Sequence, residues 1–111
     1  MVVCELKYKG KYYRYPLYTW LKYCKATSLK IIPYKDIKVE PYKDLVRYHT
    51  SDLRFPCILL QQPDGPYLVI DGNHRINKSI DRGEKTGIFF VLTENDLPPY
   101  LDEKEKVSFT I

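Results

Sequence analysis

The sequence predicts a mixed α/β (α+β) domain: a small mixed sheet flanked by helices, with an N-terminal hairpin-helix extension. Three observations lead there. The apolar segments "PCILL", "YLVID" and "GIFFVL" have the length of buried strands rather than of helices. Leu17, Trp20, Leu21 and Cys24 instead recur at helical spacing. Between the apolar segments stand proline, glycine and aspartate clusters such as "PDGP", which turns require.

Taken in order, residues 2–15 read as two short strands around Lys9-Gly10, where glycine permits the turn. The segment "PLYTWLKYCKATS" follows as a helix with Pro16 near its start and one apolar stripe, which makes Trp20 a core anchor rather than a base-stacking residue. Residues 29–41 are extended, and Pro33 and Pro41 restrict them to an edge strand or loop. Residues 42–53 read as a short helix with Leu45, Val46 and His49 or Leu53 inward. Residues 56–62 and 67–71 form a hairpin about the turn at 63–66. Residues 74–83 form a helix with Ile76 and Ile80 on one face and Gly83 at its end. The strand at 87–92 is expected to lie parallel to the strand at 67–71 across that helix. A helical turn before Pro98-Pro99 and a solvated charged tail complete the chain.

Composition narrows the class. A hydrophobic fraction of 44% and a charged fraction of 29% over 111 residues are those of one soluble domain. No apolar run approaches the roughly 20 residues of a membrane span, and "MVVCELKYKGKYY" is no signal peptide. A cytoplasmic protein without membrane contact is expected. Cys4, Cys24 and Cys57 form no metal-ligand spacing and read as buried thiols, so no zinc or other metal site built from protein ligands is expected.

The net charge of +4 is unevenly spread. Residues 1–50 hold 11 Lys and Arg against 4 Asp and Glu, whereas residues 51–111 hold 7 against 10. The basic half also carries most of the 11 tyrosines. Such a surface attracts nucleic acid, with Lys7, Lys9, Lys11 and Arg14 as its grip, or serves only solubility.

The densest chemistry lies at Asp71-Gly72-Asn73-His74-Arg75, where a buried strand hands over to a helix. Gly72 can take positive φ, and Asp71 or Asn73 can cap the helix. The amides of Asn73, His74 and Arg75 then lie in a first turn with unpaired donors and positive dipole, a setting that accepts phosphate. Arg75 adds a fork of donors at a place where a helix alone would favour an acid. The alternative is a capped turn with Arg75 bridging to Asp71 and His74 bonded to backbone.

The pattern "FPCILLQQPDGPYLVIDGNHRINKSIDRGEKTGIFFVL" resembles the ParB/sulfiredoxin superfamily, whose core runs from a proline-led strand through a hairpin into an aspartate-glycine-x-histidine-arginine turn. The resemblance spans roughly residues 29–97, with "IIPYKDI" as entry strand and "TENDL" as closing segment; residues 1–28 and 98–111 lie outside it. It implies nucleotide phosphates on Gly72, Asn73, His74 and Arg75, with His74 and Asp71 as catalytic candidates. Sulfiredoxins place a catalytic cysteine directly before the histidine; Asn73 stands there, so sulfinic-acid reduction is not expected. ParB partition proteins continue into a helix-turn-helix domain that these residues do not contain. Other members include a free-serine kinase with an acid near the entry strand, to which Asp36 or Glu40 would correspond unless both are solvated loop charges, and ParB-like nucleases.

The expectation is therefore a nucleotide-binding protein, taking ATP or CTP with Mg²⁺, whose chemistry would be NTP hydrolysis or kinase-like transfer before nuclease action. The alternatives are a DNA-binding or nuclease accessory protein, or a non-catalytic interaction protein of a phage or mobile element.

Overall fold

A computed structural model of the chain describes residues 3–41 and 57–102. The helix expected at 42–53 and the segment 103–111 lie outside these residues. The described part is a mixed α+β fold of two sheets and two helices. Among the described residues no helix is long and apolar enough to cross a membrane.

Strands β1 (Val3–Tyr8) and β2 (Lys11–Pro16) form an antiparallel hairpin. Lys9 (φ 51) and Gly10 (φ 75) supply the two positive φ angles that a two-residue turn needs to match strand twist. Burial alternates along β1, so Cys4, Leu6 and Tyr8 face inward while Glu5 and Lys7 face water. Helix α1 (Leu17–Lys22) then crosses the hairpin, with Trp20 fully buried and its Nε1–H donating to the Cys4 carbonyl at 3.1 Å. The helix is only six residues long, so the expected stripe narrows: Leu21 is 44% exposed.

The larger sheet has the order β3-β7-β5-β6-β4. Its members are β3 (Leu29–Pro33), β4 (Ile37–Lys38), β5 (Cys57–Leu60), β6 (Tyr67–Asp71) and β7 (Thr86–Leu92). Strands β3 and β4 occupy opposite edges, yet only the 3-10 turn Tyr34–Asp36 joins them. The steps from Pro33 to Ile37 reach at most about 14 Å when extended, whereas the edges of a flat five-stranded sheet stand about 19 Å apart. The sheet is therefore curled, and it wraps a core of Ile32, Tyr34, Ile37, Cys57, Leu59, Ile76, Phe89 and Val91. The outer face carries Ile58, Leu60, Ile70 and Leu92 against Cys4, Leu6, Tyr8, Tyr13 and Trp20 of the hairpin layer. Strand β5 is thus buried on both faces.

Two expectations are corrected. Strand β7 does not lie parallel to β6: β5 stands between them, antiparallel to β6 and parallel to β7. The hairpin partner has taken the slot beside β6, so the parallel crossover links β5 to β7. The tail is not wholly a solvated segment either, because β8 (Leu101–Asp102) pairs with β2 in the N-terminal sheet.

Candidate functional site

Strand β6 ends in a bulge. Leu60 faces Leu68 and Leu59 faces Val69, but Ile58 faces Asp71, leaving Ile70 as the extra residue. A bulge re-aims the side chains that follow it. Strict alternation would send Asp71 with Tyr67 and Val69 into the apolar core beneath helix α2 (Asn73–Asp81). Instead its Oδ1 lies 3.7 Å from the Cys4 Sγ of β1, on the hairpin side.

Gly72 follows with φ 106 and ψ 18 and is the N-cap of α2, with no side-chain cap. The expectation that Asp71 or Asn73 caps the helix is overturned: both side chains are engaged elsewhere. The Asp71 Oδ2 accepts from Arg75 Nη2 in an ion pair one turn along, the two side chains being 12% and 17% exposed. Asn73 lies inside the helix; its Oδ1 accepts from the Glu40 amide at 3.0 Å and its Nδ2 donates to the Glu40 carbonyl at 2.8 Å. Asn77 Nδ2 donates to the same carbonyl at 2.8 Å. The backbone at Glu40 is thereby fastened to the first turn of α2.

The space left by the missing Gly72 side chain is filled from within. A Cβ there would stand 2.6 Å from the Cys57 Cβ, closer still to its Sγ, and 3.4 Å from Arg75 Nε. The Cys57 thiol, 3.8 Å from the Gly72 carbonyl, is pushed up to about 11 by burial against a smaller opposing effect of Arg75. It is inert at neutral pH. His74 is half-buried, and its Nε2 is buried without a hydrogen-bond partner among the described residues. The first turn of α2 carries no acidic residue.

Of the predicted site residues, Asp71, Gly72, Asn73, His74 and Arg75 thus come together with Glu40. Asp36 is exposed at the end of its 3-10 turn, with no hydrogen bond to this cluster among the described residues. Cys57, Cys4 and Asn77 belong to the cluster although sequence reasoning passed over them. The hairpin register places Cys57 near Asp71, so counting back from the turn at 63–66 would have found it. Among the described residues no group of three His, Cys, Asp or Glu side chains is arranged to hold a metal.

The four expected nucleic-acid contacts all lie at the surface of the N-terminal hairpin. Lys9 Nζ pairs with Glu94 at 2.8 Å, Arg14 Nε with Glu5 at 3.1 Å, and Lys11 Nζ stands 4.7 Å from the Tyr100 ring centroid. Lys7 is exposed.

The chain matches no protein-family model, no curated protein and no solved structure.

Proposed function

We propose that the chain is a ParB/sulfiredoxin-like protein that binds a nucleotide, with phosphate on the first turn of α2 and Arg75 as its principal side-chain contact. One observation carries this reading: a nine-residue helix opens on a left-handed glycine with neither a side-chain cap nor an acid in its first turn. Such an end favours an external anion. Asp71 then serves to hold the Arg75 guanidinium in one pose, and the Asn73 and Asn77 clamp brings Glu40 to the turn as the available acid. If phosphoryl transfer or hydrolysis occurs, His74 is the group to stabilise or protonate the transferred phosphoryl. A grip on DNA by the hairpin has less support, since Lys9 and Arg14 are already ion-paired.

A second reading has its own observation: Cys57 fills the vacancy at Gly72 and Arg75 is paired to Asp71, so the turn is complete as a scaffold. A thermal-shift series of nucleotides with and without Mg²⁺ separates the two. Nucleotide at about 100 times its dissociation constant should stabilise the fold by roughly 2.7 kcal/mol. Arg75→Lys, which keeps the charge beside Asp71 but loses the fork, should weaken that binding about ten- to a hundredfold. A scaffold turn gives no shift with any nucleotide.

A further inference from the structure

We propose that the outer edge of β3 docks an extended, acidic and apolar segment of a partner protein, which adds to the curled sheet as a further strand. This is independent of the phosphate site. Strand β3 ends the sheet among the described residues. Its Leu29 and Ile31 are 42% and 69% exposed, and Ile88, paired with Ile31 on β7, is 57% exposed. Three large apolar side chains therefore form one uncovered row at a sheet edge, a pattern that marks interaction surfaces.

Part of the backbone of that edge also faces away from β7. The Tyr34 amide donates to the Lys85 carbonyl at 2.9 Å, so the even-numbered residues of this segment bond to β7. By antiparallel alternation Ile31 turns its amide and carbonyl outward and Leu29 its carbonyl, while the Leu29 amide donates to the Ala26 carbonyl of the preceding 3-10 turn. Pro33 has the same parity and no N–H, which ends the ladder there. Main-chain bonds with side-chain contacts at alternate residues are the mode of strand addition.

Charge selects the partner. Residues 25–35 hold Lys25, Lys30 and Lys35 and no acid. Asp96, whose carboxyl is held below its usual value by hydrogen bonds from Thr93 and more weakly by Lys25, engages Lys25, and Lys30 is the cation that β3 itself carries. A second copy pairing antiparallel about Ile31 would bring two Lys30 side chains onto one face, and edge lysines oppose self-pairing in this way. A strand with a carboxylate near Lys30 and apolar residues against Leu29 and Ile31 meets both demands.

The test uses fluorescence polarisation of the full chain with a labelled synthetic peptide alternating valine and glutamate, and with its valine-lysine counterpart. The glutamate peptide should bind and the lysine peptide should not. Ile31→Glu should weaken the glutamate peptide by about tenfold, and Lys30→Glu should transfer binding to the lysine peptide. Amide shifts on titration should centre on Leu29 to Ile31. Equal binding of both peptides, binding of neither, or affinities unchanged in variants that circular dichroism shows folded would overturn the proposal. So would a concentration-dependent dimer abolished by Ile31→Glu, since the occupant would then be a second copy.

Discussion

At Gly72 two constraints coincide: a backbone φ of 106 and the Cys57 side chain packed into the space a Cβ would fill. Positive φ in a non-glycine residue and overpacking each cost about 1–3 kcal/mol. Gly72→Ala should therefore be severely destabilised in thermal denaturation, and Cys57→Ala should not rescue it, because the Cys57 Cβ alone already clashes. Arg75 belongs to the same cluster. Its side chain is only 17% exposed and is ion-paired to Asp71. Breaking such a pair by Arg75→Ala leaves a largely buried Asp71 carboxylate, at a cost of up to about 3–5 kcal/mol. The paired change Asp71→Asn with Arg75→Gln should cost less, and denaturant melts of the single and double variants would show this. The need for glycine at position 72 was legible from the sequence, because the residue breaks a strand before a helix. What fills its empty side was legible only indirectly, since a thiol fifteen residues upstream enters through the register that the turn at 63–66 sets.

Among the elements, the β6 bulge and the Glu40 clamp do most to shape the site. Without the extra residue Ile70, the Asp71 carboxylate would turn toward the apolar core under α2. The clamp rests on hydrogen bonds from Asn73 and Asn77, each worth about 0.5–1.5 kcal/mol. Asn73→Ala should accelerate amide exchange at Glu40 while leaving β5 protected; equal exchange in both proteins would remove the clamp from the account. A second tie joins the hairpin turn to the 3-10 turn Glu94–Asp96. There hydrogen bonds from Lys9 and Tyr8 hold the Glu94 carboxyl below its usual value. A lowered carboxyl adds stability above its unfolded pKa and loses it as pH falls through the folded value. Acidification below 4.5, the usual value, should thus erode the wild type slightly more than Glu94→Gln, a small effect at an exposed pair. Strands and helices were legible here because their periodicity is local. The bulge and the clamp were not, since one depends on pairing register and the other joins residues 33 and 37 positions apart.

At the largest scale the described residues form three layers: the N-terminal sheet, the curled sheet, and α2 with the Tyr34–Asp36 link. The mixed α+β class followed from the order of apolar segments. The sheet order did not, because the sequence shows that a helix separates β6 from β7 but not that β5 stands between them. Curling lies in the sheet order, which puts β3 and β4 at opposite edges with three residues between them. This closure sets β6 and α2 meeting at Gly72, beside the N-terminal sheet, where the proposed anion site lies. The most direct test is titration of ATP, CTP and inorganic pyrophosphate, with and without Mg²⁺, into the isotopically labelled chain while its amide resonances are followed. Binding at the proposed site shifts Asn73, His74 and Arg75 together in a saturable way, and Arg75→Lys weakens the response about ten- to a hundredfold. Resonances of Asn73 to Arg75 that stay unmoved at millimolar ligand, or saturable shifts confined to the Lys7–Arg14 hairpin, would contradict it.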